Sequence, residues 1–197
     1  MIETFTFPQF SPDRSVVHVG LYTNIKNAAG LRKRIIGAAG MQGEEGDRER
    51  EAVNFAFVDA RLITSRLHLQ TAIYQAILAE SQNALRTRTV HSEVLWALNP
   101  THNITEALRR YGVSETTTAL FVVRIGGSVV PDIQDTMDAA VAGTLQSLNS
   151  MERLTDWAAI KEYYKLNDEG ALRKPKDEKK VVDNIVISSV AMKSVMQ

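Results

Sequence analysis

The sequence predicts a fold of mixed helices and strands, in a single domain spanning residues 1–197, and three features predict it. The chain is long enough to bury a sizeable core. Apolar residues make up 44% and charged residues 23%, the usual mixture of a globular chain. Segments with period-two alternation or β-branched runs are interleaved with segments whose apolar residues recur every three to four positions. Those are the patterns of strands and of amphipathic helices.

The same composition excludes several function classes. Lysine plus arginine and aspartate plus glutamate both number 23, so no global basic field advertises nucleic acid, and any RNA contact has to come from a local patch. With no cysteine there is no disulfide, thiolate metal site or thiol nucleophile, which fits a reducing compartment. The opening Met-Ile-Glu-Thr-Phe-Thr-Phe-Pro has an early acid and neither the basic nor the apolar region of a secretory signal. No stretch approaches the length needed to cross a bilayer, so no membrane partner is expected.

Along the chain, Ser15 to Tyr22 alternates as a strand, with Val17, Val19 and Leu21 on one face and His18 half-exposed on the other. A short helix from about Asn27 places Leu31, Ile35 and Ile36 inward and Arg32, Lys33 and Arg34 at its rim, with Gly37 and Gly40 as natural stops. Residues 40–52 are polar, glycine-punctuated and mixed in charge, the composition of a mobile surface loop. Asn54 to Val58 reads as a short strand with Phe55 and Phe57 on one face. A long helix then runs from about Ala60 to Asn83, its stripe of Leu62, Leu69, Ile73 and Ala76 flanked by His68 and Tyr74.

Val90 to Leu98 fits helix or strand periodicity. Glu93 and Ala97 favour the helix and Thr89 can cap it, which turns Trp96 away from the local apolar arc, to pack under another element or to meet a partner. The next helix starts at Asn103, with Glu106 three residues on as in a capping box. Ile104, Ala107, Leu108 and Tyr111 form its inner face, Arg109 and Arg110 its outer face, and Gly112 its stop. Thr117 to Ile125 is a nearly unbroken apolar and β-branched run, a strand buried on both faces. Ile133 to Ala142 follows as a helix and Thr144 to Leu148 as a short strand. A helix over Asp156 to Tyr164, capped by Thr155, carries Trp157, Ile160 and Tyr164 on one side. The polar connector 167–180 leads to a last helix, from about Asp177 to Val190, that buries Val181, Val182, Ile185, Val186 and Ser189.

No catalytic motif is present: neither a phosphate-cradling glycine loop, nor a nucleophile elbow, nor a His-Glu-x-x-His helix. The four histidines stand apart, and the pair His91 and His102 around Asn99-Pro100 is a weak basis for a metal site. No cofactor is expected, and the chain reads as a non-enzyme. Between Arg86 and Arg110, four arginines stand against Glu93 and Glu106, a local surplus of two. Arg86 and Arg88, just before a helix and with Arg109 and Arg110 in reach if the helices form a hairpin, suit either a solvated surface or a phosphate-gripping patch.

The stretch Arg-Thr-Val-His-Ser-Glu-Val-Leu-Trp-Ala-Leu-Asn-Pro-Thr-His-Asn-Ile-Thr-Glu-Ala-Leu-Arg-Arg-Tyr-Gly-Val, from Arg88 to Val113, resembles the PRPK-binding protein family, in particular its fungal members. That family is the kinase-binding subunit of the KEOPS (EKC) complex. The likeness is densest from Leu85 to Ile125 and weaker over Lys26 to Arg34, Val58 to Ala79 and Ile160 to Leu166. The loop 40–52 and the connector 167–180 are longer here than in compact members.

The resemblance implies an α+β fold, a two-layer sandwich of a small, mainly antiparallel sheet covered by helices. It implies a non-catalytic subunit that binds a PRPK-type atypical kinase/ATPase and, through it, the threonylcarbamoyl transferase subunit of KEOPS. It also implies recruitment of tRNA by its 3′ CCA end for threonylcarbamoyladenosine formation at position 37, a link to telomere maintenance and transcription, and residence in nucleus and cytoplasm. On this basis Arg86, Arg88 and Arg109 are the expected RNA-binding residues, and the face near Trp96 and Tyr111 is the expected partner-binding surface.

Overall fold

Five antiparallel strands form one open sheet in the computed structural model, which describes residues 1–127, 130, 132–167 and 177–195. They are β1 (Glu3–Thr6), β2 (Val16–Thr23), β3 (Ala56–Asp59), β4 (Ala119–Gly126) and β5 (Thr144–Gln146). The order is β1-β2-β4-β3. The opening half of β2 pairs with β1, from Glu3↔Val19 to Thr6↔Val16, and its closing half with β5, from Leu21↔Gln146 to Thr23↔Thr144. Its other edge pairs along its whole length with β4. The apolar run of β4 is buried on both faces, from Ala119 to Val123. The fold is α+β, with helices α1 (Ala28–Gly40), α2 (Gly43–Ala52), α3 (Arg66–Ser81), α4 (Val90–Leu98), α5 (Ile104–Tyr111), α6 (Ile133–Ala140), α7 (Trp157–Tyr163) and α8 (Glu178–Met192).

The chain comprises two compact units. The first comprises Met1–Asp59 and Gly112–Leu148, the second Ala60–Tyr111 and Asn149–Gln197. In the first, Tyr22, Phe57, Leu120 and Val122 of the sheet pack with Leu31 and Ala38 of α1 and Met137 and Ala140 of α6. Ile36, expected inward, is exposed, because the 100° step of the helix gives the core to Leu31 and Ala38.

The expected mobile loop 40–52 is mostly helix α2. A polar segment can be helical when its charges are ordered. Glu44 and Glu45 occupy the first turn and Arg50 the last, and Arg48–Glu44 and Arg50–Asp47 pair along the helix. Arg34 of α1 forms a fork with the Glu49 carboxylate, and Arg50 donates to the Ala38 and Met41 carbonyls at 3.2 and 2.7 Å. Gly46 permits this approach, since a Cβ there would stand 2.7 Å from the Met41 carbonyl oxygen.

The second unit is helical. α3 packs on α4 and α8, and α4 on α5. The predicted helix 60–83 breaks near its start: Ala60–Leu62 forms a single 3-10 turn, and α3 begins after Ser65, whose hydroxyl accepts from the His68 amide at 3.1 Å. α7 is capped by Asp156, which accepts from the Ala159 amide at 3.0 Å, because Thr155 is spent on the Ile63 carbonyl. Of the connector 167–180, residues 168–176 lie outside the described residues; Glu178 onward already belongs to α8, which buries Val182, Val186 and Val190.

His68, beside the α3 stripe, is wholly buried, and its Nδ1 accepts from the Thr64 amide at 3.3 Å. Burial pushes its pKa down to about 3, so the folded chain holds it neutral while the unfolded chain protonates it below about 6.5. Stability is therefore expected to fall by about 1.4 kcal/mol for each pH unit below 6.5, until the pH approaches the folded value. Urea melts at pH 7, 6 and 5 check this, and His68→Asn should flatten the dependence.

Candidate functional site

The stretch from Arg86 to Tyr111 lies entirely in the helical unit, and its geometry begins with α4. Thr89 takes an extended conformation and accepts from the Ser92 amide at 3.1 Å, while the Ser92 hydroxyl accepts from the Thr89 amide at 3.2 Å. This is a reciprocal capping box with serine in the place of the usual glutamate. The helix ends where Pro100 confines Asn99 to extended backbone, φ −79° and ψ 131°.

Glu93 is the least expected member of the helix. It is 1% exposed, and its carboxylate accepts from the Arg86 amide at 3.0 Å, the Thr87 amide at 2.8 Å and the Thr87 hydroxyl at 2.6 Å. A buried carboxylate thus fixes the backbone of the segment before α4 from behind. That segment presents Arg86 and Arg88 on the exposed side, and Arg109 is exposed on the last turn of α5.

Lys193, just past the end of α8, is 6% exposed. Its ammonium donates to the carbonyls of Trp96, of Asn99 at 2.5 Å and of Thr101 at 2.9 Å, and lies 3.9 Å from the centre of the Trp96 ring. The C-terminal end of α4 is closed by the Asn99 amide, which donates to the Trp96 carbonyl at 3.2 Å, by this ammonium, and by the Tyr164 hydroxyl, which donates to Leu98 at 2.6 Å. Burial pushes the Lys193 pKa down to about 7, and the charge of Glu93 opposes that fall. Arg86, Glu93, Trp96, Ala97, Lys193 and Ser194, with Gln75 of α3 and Gln82 just past its end, line a cleft of about 110 Å³.

Several expected roles change. Trp96 and Tyr111 are 7% and 0% exposed and form no partner-facing surface: Trp96 donates to the His102 carbonyl at 3.3 Å beneath the Lys193 ammonium, and Tyr111 lies in the core. Arg110 turns inward, bonded to Glu106 at 2.9 Å and lying 4.3 Å from the centre of the Tyr163 ring. Ile104 and Leu108, expected inside, are exposed, leaving the inner face of α5 to Ala107 and Tyr111. Asn103 caps α5 through the Glu106 amide at 2.9 Å, but the Glu106 carboxylate binds Thr101 and Asn99 instead of completing the box. Those bonds, with Arg110 and Arg109 nearby, hold its pKa below the usual range.

Of the predicted residues, Arg86 and Trp96 share the cleft, while Arg88, Arg109 and Tyr111 do not line it. Glu93 and Lys193 were not singled out in advance. Their signals are a lone carboxylate in an apolar helix, and an apolar stripe, Val182, Val186 and Val190, whose next position at i+3 is a lysine.

The model of the kinase binding protein family CGI-121 matches residues 22–194 of the chain. Among known proteins, the EKC/KEOPS complex subunit CGI121 of Cryptococcus neoformans is 36% identical over 230 residues, which cover 99% of this chain and all of that one. The subunits of the same name from Aspergillus fumigatus and Gibberella zeae are each 31% identical, covering 98% of this chain and 96% and 99% of their own lengths.

Proposed function

The chain belongs to the CGI-121 kinase binding protein family, and from that premise we propose that it is a non-catalytic subunit of an EKC/KEOPS assembly. In this reading it binds a PRPK-type atypical kinase/ATPase and, through that kinase, joins the threonylcarbamoyl transferase subunit. It helps to recruit tRNA by the 3′ CCA end for threonylcarbamoyladenosine formation at position 37. Roles in telomere maintenance and transcription, in nucleus and cytoplasm, belong to the same reading.

The observation that supports the RNA role is the segment Arg86 to Arg88, whose backbone is pinned by the buried Glu93 while its arginines face outward. Guanidinium forks on a fixed backbone lose less freedom on meeting a phosphate than forks on a loose loop. Arg109 adds a third exposed cation in the same unit. A second reading, a kinase-regulating scaffold that never touches RNA, draws support from Arg110. It is consumed by Glu106 and Tyr163, which leaves a modest basic surface on a chain of zero net charge.

The kinase role is tested by calorimetry of the purified chain against the small PRPK-type kinase of the same organism. One-to-one binding is expected. A folded kinase that gives no heat of binding and is not retained in a pull-down would overturn it.

A further inference from the structure

Three facts about the helical unit converge on one side chain. The Lys193 ammonium has three protons and meets three carbonyl oxygens, those of Trp96, Asn99 and Thr101. Those carbonyls belong to the end of α4 and to the turn that leads into α5, which carries Arg109. Glu93, the buried carboxylate that holds the Arg86 and Thr87 amides, lines the same cleft as Lys193.

A buried carboxylate that loses a neighbouring positive charge draws in water, which weakens its hold on backbone amides. A helix end whose last carbonyls lose their donors frays. Both consequences would reach the arginine-bearing surface, one through Glu93 and the other through the turn before α5. The residue sits past α8, far in sequence from what it holds, so the link exists only in the folded chain.

We propose that Lys193 is a positioning residue for the arginine surface, a tethered cation that sets the Arg86–Arg88 segment through Glu93 and the start of α5 through the α4 carbonyls. What that surface binds rests on the RNA reading above; how it is held does not. The lysine touches no ligand in this role and acts through Glu93 and the three carbonyls. The occupant of this carbonyl cage is the chain's own ammonium, so the site is filled from within. A small ammonium ion of the same charge should be able to take its place.

The test is residue-resolved amide exchange in the full chain, with tRNA affinity measured alongside. In Lys193→Met, which keeps length and removes charge, the Arg86 and Thr87 amides should exchange about tenfold faster, while the Leu120 and Val122 amides of β4 stay protected. In Lys193→Ala, millimolar methylammonium should restore protection at Arg86 and Thr87, and tetramethylammonium, which has no proton to donate, should not. Unchanged exchange at Arg86 and Thr87, or an equal rise throughout the chain, would overturn the proposal, as would failure of methylammonium to act on a folded Lys193→Ala. If wild-type chain binds no tRNA, the RNA reading falls and the exchange data still decide this one. If tRNA binds and exchange does not respond, the RNA reading stands and this one falls.

Discussion

Replacing Glu93 by leucine is expected to cost the fold about 3–5 kcal/mol, the range for removing one partner of a buried charge arrangement. Leucine fills a similar volume, so a cavity contributes little. The loss arises because the Arg86 and Thr87 amides and the Thr87 hydroxyl lose their acceptor, and because the Lys193 ammonium loses its counter-charge in a buried place. A double-mutant cycle separates the two causes. Glu93→Leu combined with Lys193→Met replaces the charges by apolar groups and should recover a part of the loss, so that the double variant is less destabilised than the sum of the singles. Urea melts of the four proteins measure this. Additive losses would mean that the two charges do not act on one another.

Charge reversal at the surface should strike binding. Arg86→Glu with Arg88→Glu is expected to weaken tRNA affinity about a hundredfold at moderate ionic strength. The slope of log affinity against log salt should become shallower by about 2, one for each phosphate that no longer has an arginine to neutralise it. Both side chains are exposed, so each variant is melted alongside its titration. Arg110→Glu is the contrasting variant. Its guanidinium is tied to Glu106 and Tyr163, so its effect should appear in stability before it appears in affinity. Titrations at several salt concentrations, each paired with a melt, check both statements.

Much of this arrangement was legible in the sequence, for local reasons. The β4 run, the Thr89 cap and the Asn103 cap are each set by neighbours within a few positions, and each stands within one or two residues of its expected place. α2 was missed because its glycines and charges resemble a loop in composition. What makes it a helix is the order of those charges and the two arginine contacts that tie it to α1 and to the α1–α2 turn. The inside and outside of α5 were half misread, since apolar character alone assigned Ile104 and Leu108 inward, whereas the helix turns Ala107 and Tyr111 to the core. Trp96 was expected to pack under another element or meet a partner, and it packs. The site's two buried charges were not legible, because they stand a hundred residues apart in sequence and only the fold brings them to one cleft.

The most direct measurement of the central claim is a titration of the purified chain with two forms of one tRNA, identical except that the second lacks its 3′ CCA. If the Arg86–Arg88 surface serves the single-stranded end, intact tRNA should bind at least about tenfold more tightly, since each stacked and phosphate-held nucleotide adds its own share. Arg86→Glu with Arg88→Glu should then bring the two affinities together. Equal affinity for both forms in the wild-type chain, or binding to neither, would contradict the claim and leave a subunit that serves its kinase alone.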